Sequence, residues 1–234
     1  DITATLFPDA HIARMDLDTT RTRSAYERII NDFSGEKTNI LIGTQMVSKG
    51  LDFGKVSVVG ILNADTMLNY PDFRAYEQAF TMMAQVSGRA GRKDRQGLVI
   101  LQTRSPESPV IRQLSGNDFK SFYHSLLEER RLFRYPPFTH IIYIYIRHKK
   151  EMIAETAADS MATSLKNILG DRVLGPDKPS VARIKQMAIR KIMLKLENGI
   201  NLDKVRDCLH KEESRIMQQQ RFATVQVIFD VDPL

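Results

Sequence analysis

Two arginines set three residues apart among glycines, in Gln85-Val86-Ser87-Gly88-Arg89-Ala90-Gly91-Arg92, are the residues of this 234-residue chain best suited to chemistry on a phosphoryl group. A guanidinium stays charged and donates in a fixed planar fork that matches phosphate oxygens, and glycine lets the backbone approach a ligand closely. An arginine so placed can stabilise the charge that develops on a transferring phosphoryl group. Alone, the run equally describes a helix end whose arginines are solvated and offset the helix dipole. A second segment shifts that balance. Ile40-Leu41-Ile42 is apolar enough for a buried strand and leads through Gly43, Thr44, Gln45, Ser48 and Lys49 to Gly50, Leu51 and Asp52. Such a loop offers backbone N–H groups and the Thr44 hydroxyl to phosphates, and Asp52 can position neighbouring polar groups.

Other residues of reactive type support less. His11, His124, His140, His148 and His210 stand singly, without metal-ligand spacing, and no metal site is expected. The one cysteine, Cys208, can form neither an intramolecular disulfide nor a zinc cluster, which argues for a reducing, intracellular setting. Tyr143 and Tyr145 alternate on a strand pattern beside Arg147, His148, Lys149 and Lys150. They could stack nucleic-acid bases, although aromatic residues on a half-buried strand are the commoner reading.

Charge is distributed unevenly. Residues 1–100 carry 12 basic and 12 acidic side chains, residues 101–150 carry 9 and 4, and residues 151–234 carry 13 and 12, for a formal net charge of +6. Between Arg172 and Lys195 seven basic residues face only Asp177. Arg183, Lys185 and Lys191 of this stripe are expected to meet nucleic-acid phosphates, against the plainer alternative of a solvated face. The composition, 42% hydrophobic and 26% charged, excludes a disordered or collagen-like chain. No apolar run approaches the roughly 18 residues that a membrane-spanning helix needs, and a soluble protein is expected. The start at Asp1, with no Met and no signal-like segment, reads as a piece cut from a longer chain.

The elements that must position these residues alternate. Strands are expected over His11–Met15, Asn39–Ile42, Val56–Leu62 and Gly97–Leu101, each buried on both faces. Tyr26, Ile29, Ile30 and Phe33 form one helical stripe, with Thr19 or Thr20 as cap and Gly35 past its end; Phe73, Tyr76, Phe80 and Met83 form another. Alternation of this kind predicts a parallel, doubly wound sheet covered by helices, with ligands at the carboxyl ends of its strands. A helix over 118–131 precedes Tyr135-Pro136-Pro137, which no helix can cross. Beyond it the order is strand, helix, a strand pair whose loop should hold Pro176 and Pro179, helix and strand. That βαββαβ order is the ferredoxin-like arrangement. The expected division is therefore a partial α/β lobe over 1–104, a helical linker over 105–138 and a smaller α+β domain over 139–234.

These segments resemble motifs V and VI in the second RecA-like lobe of superfamily-two helicases. The wording ILIGTQMVSKGLDF, LNADTMLNYPDFRAYEQAF, QVSGRAGR and RYPPF is similar to that of the bacterial primosomal replication-restart helicases. The resemblance implies that Gln85, Arg89 and Arg92 reach the γ-phosphate of ATP from the second lobe, Arg92 as the arginine finger. It implies that Gly43, Thr44 and Gln45 open motif V and that Gly50 and Asp52 close it, coupling the nucleotide cleft to the DNA strand, with Lys49 also at the nucleic acid. Arg14-Met15-Asp16-Leu17-Asp18-Thr19-Thr20 matches a further interlobe element. It further implies a C-terminal domain that binds forked DNA and helps hold the tail of single-stranded-DNA-binding protein, with Arg190 assigned to that pocket.

The implied whole is a 3′-to-5′, ATP- and Mg²⁺-dependent DNA helicase that works in primosome assembly, in the cytoplasm at the nucleoid. Neither a G-x-x-x-x-G-K-[ST] run nor D-E-x-H occurs in this chain, so the phosphate cradle and the Mg²⁺-binding acidic motif must come from elsewhere. The paired cysteines that hold zinc in that family are absent from it as well. The chain alone is therefore expected to be inactive. A nucleic-acid and protein-binding module without catalysis is the alternative, and a helicase acting on RNA a third reading.

Overall fold

The computed structural model describes residues 2–44, 56–87 and 97–233, which fall into two compact units, Asp1–Tyr123 and His124–Leu234. In the first unit a short helix α1 (Ile2–Leu6) leads to β1 (Ile12–Met15), α2 (Arg23–Ser34) and β2 (Ile40–Gly43). β1 and β2 run parallel with Ile12 opposite Ile40 and Met15 opposite Gly43. Met15 is fully buried against Tyr26, Ile29, Ile30 and Phe33, so the apolar stripe of α2 covers one side of this pair. The cap of α2 is Thr22, whose hydroxyl accepts from the Ala25 N–H at 3.2 Å, and not Thr19 or Thr20. Both of those hydroxyls are held by Asp16 instead. Gly35 follows the helix as expected.

A second parallel pair, β3 (Val58–Ile61) and β4 (Leu98–Leu101), is joined through α3 (Asp65–Leu68) and α4 (Ala75–Ser87). Ile61, Ala64, Ala79 and Met83 form its small core, with Val59, Val99 and Leu101 packed around them. Among the described residues the four strands make two two-stranded parallel sheets, not one continuous sheet. They are also not buried on both faces: Val58, Leu98 and Ile100 are each more than half exposed, because α4 covers only the side that carries Val59, Ile61, Val99 and Leu101. α5 (Pro109–Ser115) opens with proline, whose missing N–H costs a helix nothing in its first turn. α6 (Phe119–Leu132) begins in this unit, where Phe122 stacks on Phe80 at 4.1 Å between ring centres.

The second unit is built on one antiparallel sheet. β5 (Thr139–His148) is central, flanked by β8 (Met187–Glu197) and β9 (Gln226–Val231); β6 (Val173–Asp177) and the short β7 (Arg183–Ile184) both pair with β8. The order β6-β8-β5-β9, with α7 (Glu151–Leu169) and α8 (Leu202–Met217) between strands, is the split βαβ pattern of a ferredoxin-like domain. Ile142, Ile144 and Ile146 of β5 and Ile192, Leu194 and Leu196 of β8 alternate onto the helix side. They meet Ala157, Met161 and Leu165 of α7 and Val205, Leu209 and Ile216 of α8. Each such buried Ile, Leu, Val or Met side chain stabilises the fold by about 1.5–3 kcal/mol.

Pro179 lies between strands as expected, but Pro176 lies within β6. The β6–β8 register slips between Leu174 and Asp177, and at that irregularity the strand tolerates a residue without an N–H. Gly175 beside it has φ of +92°, and a Cβ there would sit 3.0 Å from both the Asp177 nitrogen and the Lys191 carbonyl oxygen.

Candidate functional site

Because β1 and β2 are parallel and in register, the chain leaves both at the same edge: Asp16–Thr20 follow Met15 and Thr44 follows Gly43. The first of these loops is organised by Asp16. Its carboxylate accepts from the Asp18 and Thr19 N–H groups, each at 3.0 Å, and from the Arg14 guanidinium. Its own N–H donates to the Thr19 hydroxyl at 2.9 Å, and its carbonyl oxygen accepts from the Thr20 N–H at 3.0 Å. The Arg14 hydrogen bond, then that of the Thr19 amide, holds the Asp16 carboxyl below the usual carboxylate range. Thr44 is exposed where β2 ends, and Gln85 is exposed in the last turn of α4. Gln45, Lys49, Gly50, Asp52, Arg89 and Arg92 lie outside the described residues.

The carboxyl edge of β3 and β4 is tied in a similar way. Asp65 at the start of α3 accepts from the Thr103 hydroxyl at 2.7 Å and the Arg104 N–H at 2.9 Å, which together lower its carboxyl from the ordinary value. Asn63 donates its N–H to the Gln102 side chain at 3.2 Å. The two loops that leave this strand pair are thus joined across 38 positions of sequence by one carboxylate. Sequence reading missed Asp65 as an organiser. It sits in the LNADT run, where a helix-start carboxylate is common, and nothing local reveals a partner so far away.

In the second unit three of the seven basic residues of the stripe converge on one carboxylate. Glu151, first residue of α7, accepts from Arg190 at 2.8 Å and from Lys178 and Arg183 at 3.5 Å each. Arg190 also pairs with Glu155 at 3.5 Å and donates to the Ile189 carbonyl oxygen at 3.1 Å. Its side chain is only 8% exposed, whereas those of Lys178 and Arg183 are 63% and 54% exposed. Arg190 therefore anchors α7 to β8, and its guanidinium already faces two carboxylates. Lys185 and Gln186, with φ of 45° and 65°, form the two-residue turn between β7 and β8, so Lys185 stands exposed at a hairpin tip. Positive φ at both turn residues matches the twist that a tight hairpin needs.

Lys191 does not reach Glu151 either. Its ammonium lies 4.6 Å from the centre of the Tyr143 ring, and Tyr143 is buried. The Tyr143 face is thus met by a cation of the same sheet, an arrangement poorly suited to base stacking. Tyr145 is half-buried, with the Arg147 guanidinium 6.0 Å from its ring centre. Among the described residues no group of three or more His, Cys, Asp or Glu side chains could hold a metal ion, and no helix is long and apolar enough to cross a membrane.

Parallel strands joined through helices, with polar loops gathered at their carboxyl edges, and then an antiparallel ferredoxin-like sheet define the class: a helicase-type C-terminal lobe followed by a smaller α+β domain. The family model described as helicase conserved C-terminal domain matches residues 4–94, and that described as primosomal protein N C-terminal domain matches residues 131–234. The chain is 35% identical to the replication restart protein PriA of Bacillus subtilis strain 168 over 97% of its own length and 28% of that relative's. It is 40% identical to the PriA of Treponema pallidum over 81% of its own length and 29% of the relative's. Against the PriA of Haemophilus influenzae it is 33% identical over 98% and 31%, respectively. The chain belongs to the PriA family of replication restart proteins, and it spans about 30% of the length of these relatives.

Proposed function

We propose that the chain supplies the second motor lobe and the fork-binding domain of an ATP-dependent DNA helicase that restarts replication. The observation that carries this reading is the common edge of β1 and β2. There the Asp16–Thr20 loop and Thr44 emerge side by side, in a chain whose two parts match a helicase lobe and a primosomal C-terminal domain. In this reading Gln85, Arg89 and Arg92 face the γ-phosphate of a nucleotide held by another lobe, with Gly50 and Asp52 shaping the same cleft. Thr44, Gln45 and Lys49 track the DNA strand, and the motor moves 3′ to 5′.

The residues present fit this partly. Two guanidiniums and a carboxamide complement phosphoryl oxygens, but the described residues hold no carboxylate cluster for Mg²⁺, which a first lobe would supply together with the nucleotide cradle. Zinc, in the same reading, belongs to a segment outside this chain. Bound ATP supplies the free energy of the motor; this chain's part is to orient the phosphate, offer it positive charge and pass cleft closure to the loops at the DNA. Arg183, Lys185 and Lys191 serve forked or single-stranded DNA. Arg190 serves the tail of single-stranded-DNA-binding protein, other primosome proteins dock on the same domain, and the setting is the cytoplasm at the nucleoid.

A binding module without catalysis gains support from the second unit, which has its own core and a basic end. Titration of the 234-residue chain with forked, single-stranded and blunt duplex DNA tests the nucleic-acid assignment. The proposal expects binding that weakens steeply with salt, with log K falling by roughly 0.9 per phosphate contact for each unit of log salt, and no ATP hydrolysis by the chain alone. Salt-independent or absent binding removes the nucleic-acid assignment. Hydrolysis by the chain alone contradicts the need for another lobe.

A further inference from the structure

The convergence of Lys178, Arg183 and Arg190 on Glu151 is unusual in its charge balance. Three cations share one carboxylate, and the nearby Glu155 reaches only Arg190. The three contacts are not equivalent. The Arg190 bond is short and comes from a buried guanidinium, and it fixes Glu151 in place. The Lys178 and Arg183 contacts are long, at 3.5 Å, and exposed. Exposed pairs of this kind are weak and screened by salt, so an incoming anion competes with them easily. Lys185 stands two residues beyond Arg183 at the tip of the same hairpin. Glu151 also has a reason to be where it is, apart from these cations. It occupies the first turn of α7, where the helix dipole favours a negative side chain and where Lys150 at the N-cap makes no side-chain cap.

We infer that Glu151 is an affinity-setting residue of the nucleic-acid surface: it restrains Lys178 and Arg183, and both turn to backbone phosphates when DNA binds, while Arg190 stays with Glu151 and Glu155. This rests on the assignment of that surface to DNA under the proposed function. Glu151 then acts as a built-in competitor for phosphate. Removing its charge frees two cations without disturbing the hairpin that presents them. Glutamine at the same position keeps an oxygen to accept from Arg190.

The test is binding of a forked oligonucleotide to the 234-residue chain across a salt series, for wild type, Glu151→Gln and Glu155→Gln. Glu155→Gln removes the same charge one turn along α7 but touches neither Lys178 nor Arg183. The inference expects Glu151→Gln to bind roughly three- to tenfold more tightly, with the gain largest at low salt, where the competing ion pairs are least screened, and Glu155→Gln to change little. It also expects the gain to vanish when Lys178→Ala and Arg183→Ala are added. Equal gains from both glutamine variants, or a gain that survives loss of the two cations, would reduce the effect to net charge and overturn it. Should Glu151→Gln melt below the assay temperature, Lys178→Ala with Arg183→Ala decides: a salt slope shallower by about 1 to 2 supports the inference, and an unchanged slope overturns it. Absence of wild-type binding removes the nucleic-acid assignment itself, whereas wild-type binding with an unaltered Glu151→Gln removes only the role of Glu151.

Discussion

Lys195 binds the segment that leads into β5: it is buried, donates to the Phe133 carbonyl oxygen at 2.7 Å and lies 3.6 Å from the centre of the Tyr135 ring. Burial, then the nearby charge of Arg134, lowers its basicity from the ordinary lysine value. Lys195→Met keeps the apolar stem and removes the hydrogen bond and the cation–π contact. It is expected to cost about 1–3 kcal/mol in denaturant unfolding and to speed proteolytic cleavage near 133–138. An unchanged cleavage rate would mean that the Lys195 contacts do not hold this segment. Gly175→Ala tests a second single position. With φ of +92° and backbone atoms 3.0 Å from the new Cβ, it is expected to destabilise the domain by roughly 1–3 kcal/mol, read as a shift in denaturation midpoint. At this scale the sequence was only partly legible. The Gly-Arg pairs are visible in any reading, but Asp16, Asp65 and Glu151 act through partners set by the fold, and a carboxylate at a turn or helix start looks the same whatever it binds.

Among the elements, long amphipathic stretches were readable because their apolar period is set by burial. α2 lies where its apolar stripe puts it, and the strands and helices of the second unit follow the predicted βαββαβ order. Positions decided by side-chain competition were not readable. Thr22 caps α2 because Asp16 engages Thr19 and Thr20, and Pro176 enters β6 because the ladder slips there. Open faces were missed for a similar reason: β-branched runs predict a buried strand, yet a helix covers only one side of β3 and β4.

The loop joins respond to acid in a defined direction. Hydrogen bonds from Thr103 and Arg104 hold Asp65 below the ordinary carboxylate value, and Arg190, then Lys178, do the same for Glu151. The unfolded chain therefore takes up these protons at a higher pH than the folded one. The stability they contribute is fully present above the unfolded carboxylate range and is lost as pH falls through the lower folded values. Melting temperature recorded from about pH 5 downward should fall less steeply in Asp65→Asn than in wild type. Parallel curves would show that Asp65 carries no net linkage.

For the whole chain, the net charge of +6 acquires an address. The first hundred residues are balanced, and in the second unit the exposed cations Lys178, Arg183 and Lys185 gather at one end of the antiparallel sheet. The two-part organisation was legible as a change from alternating parallel-type strands to a βαββαβ order. Its division between Tyr123 and His124 falls inside α6, and a helix that runs through such a division carries no sign of it in its sequence. The central claim is that this lobe completes an ATPase on another lobe through Arg92. It is tested most directly by DNA-stimulated ATP hydrolysis of the full-length protein carrying Arg92→Ala, with forked-DNA affinity measured in parallel. The account predicts a loss of turnover of about a thousandfold or more with DNA affinity within a few-fold of wild type. Undiminished DNA-stimulated turnover in that variant would contradict it.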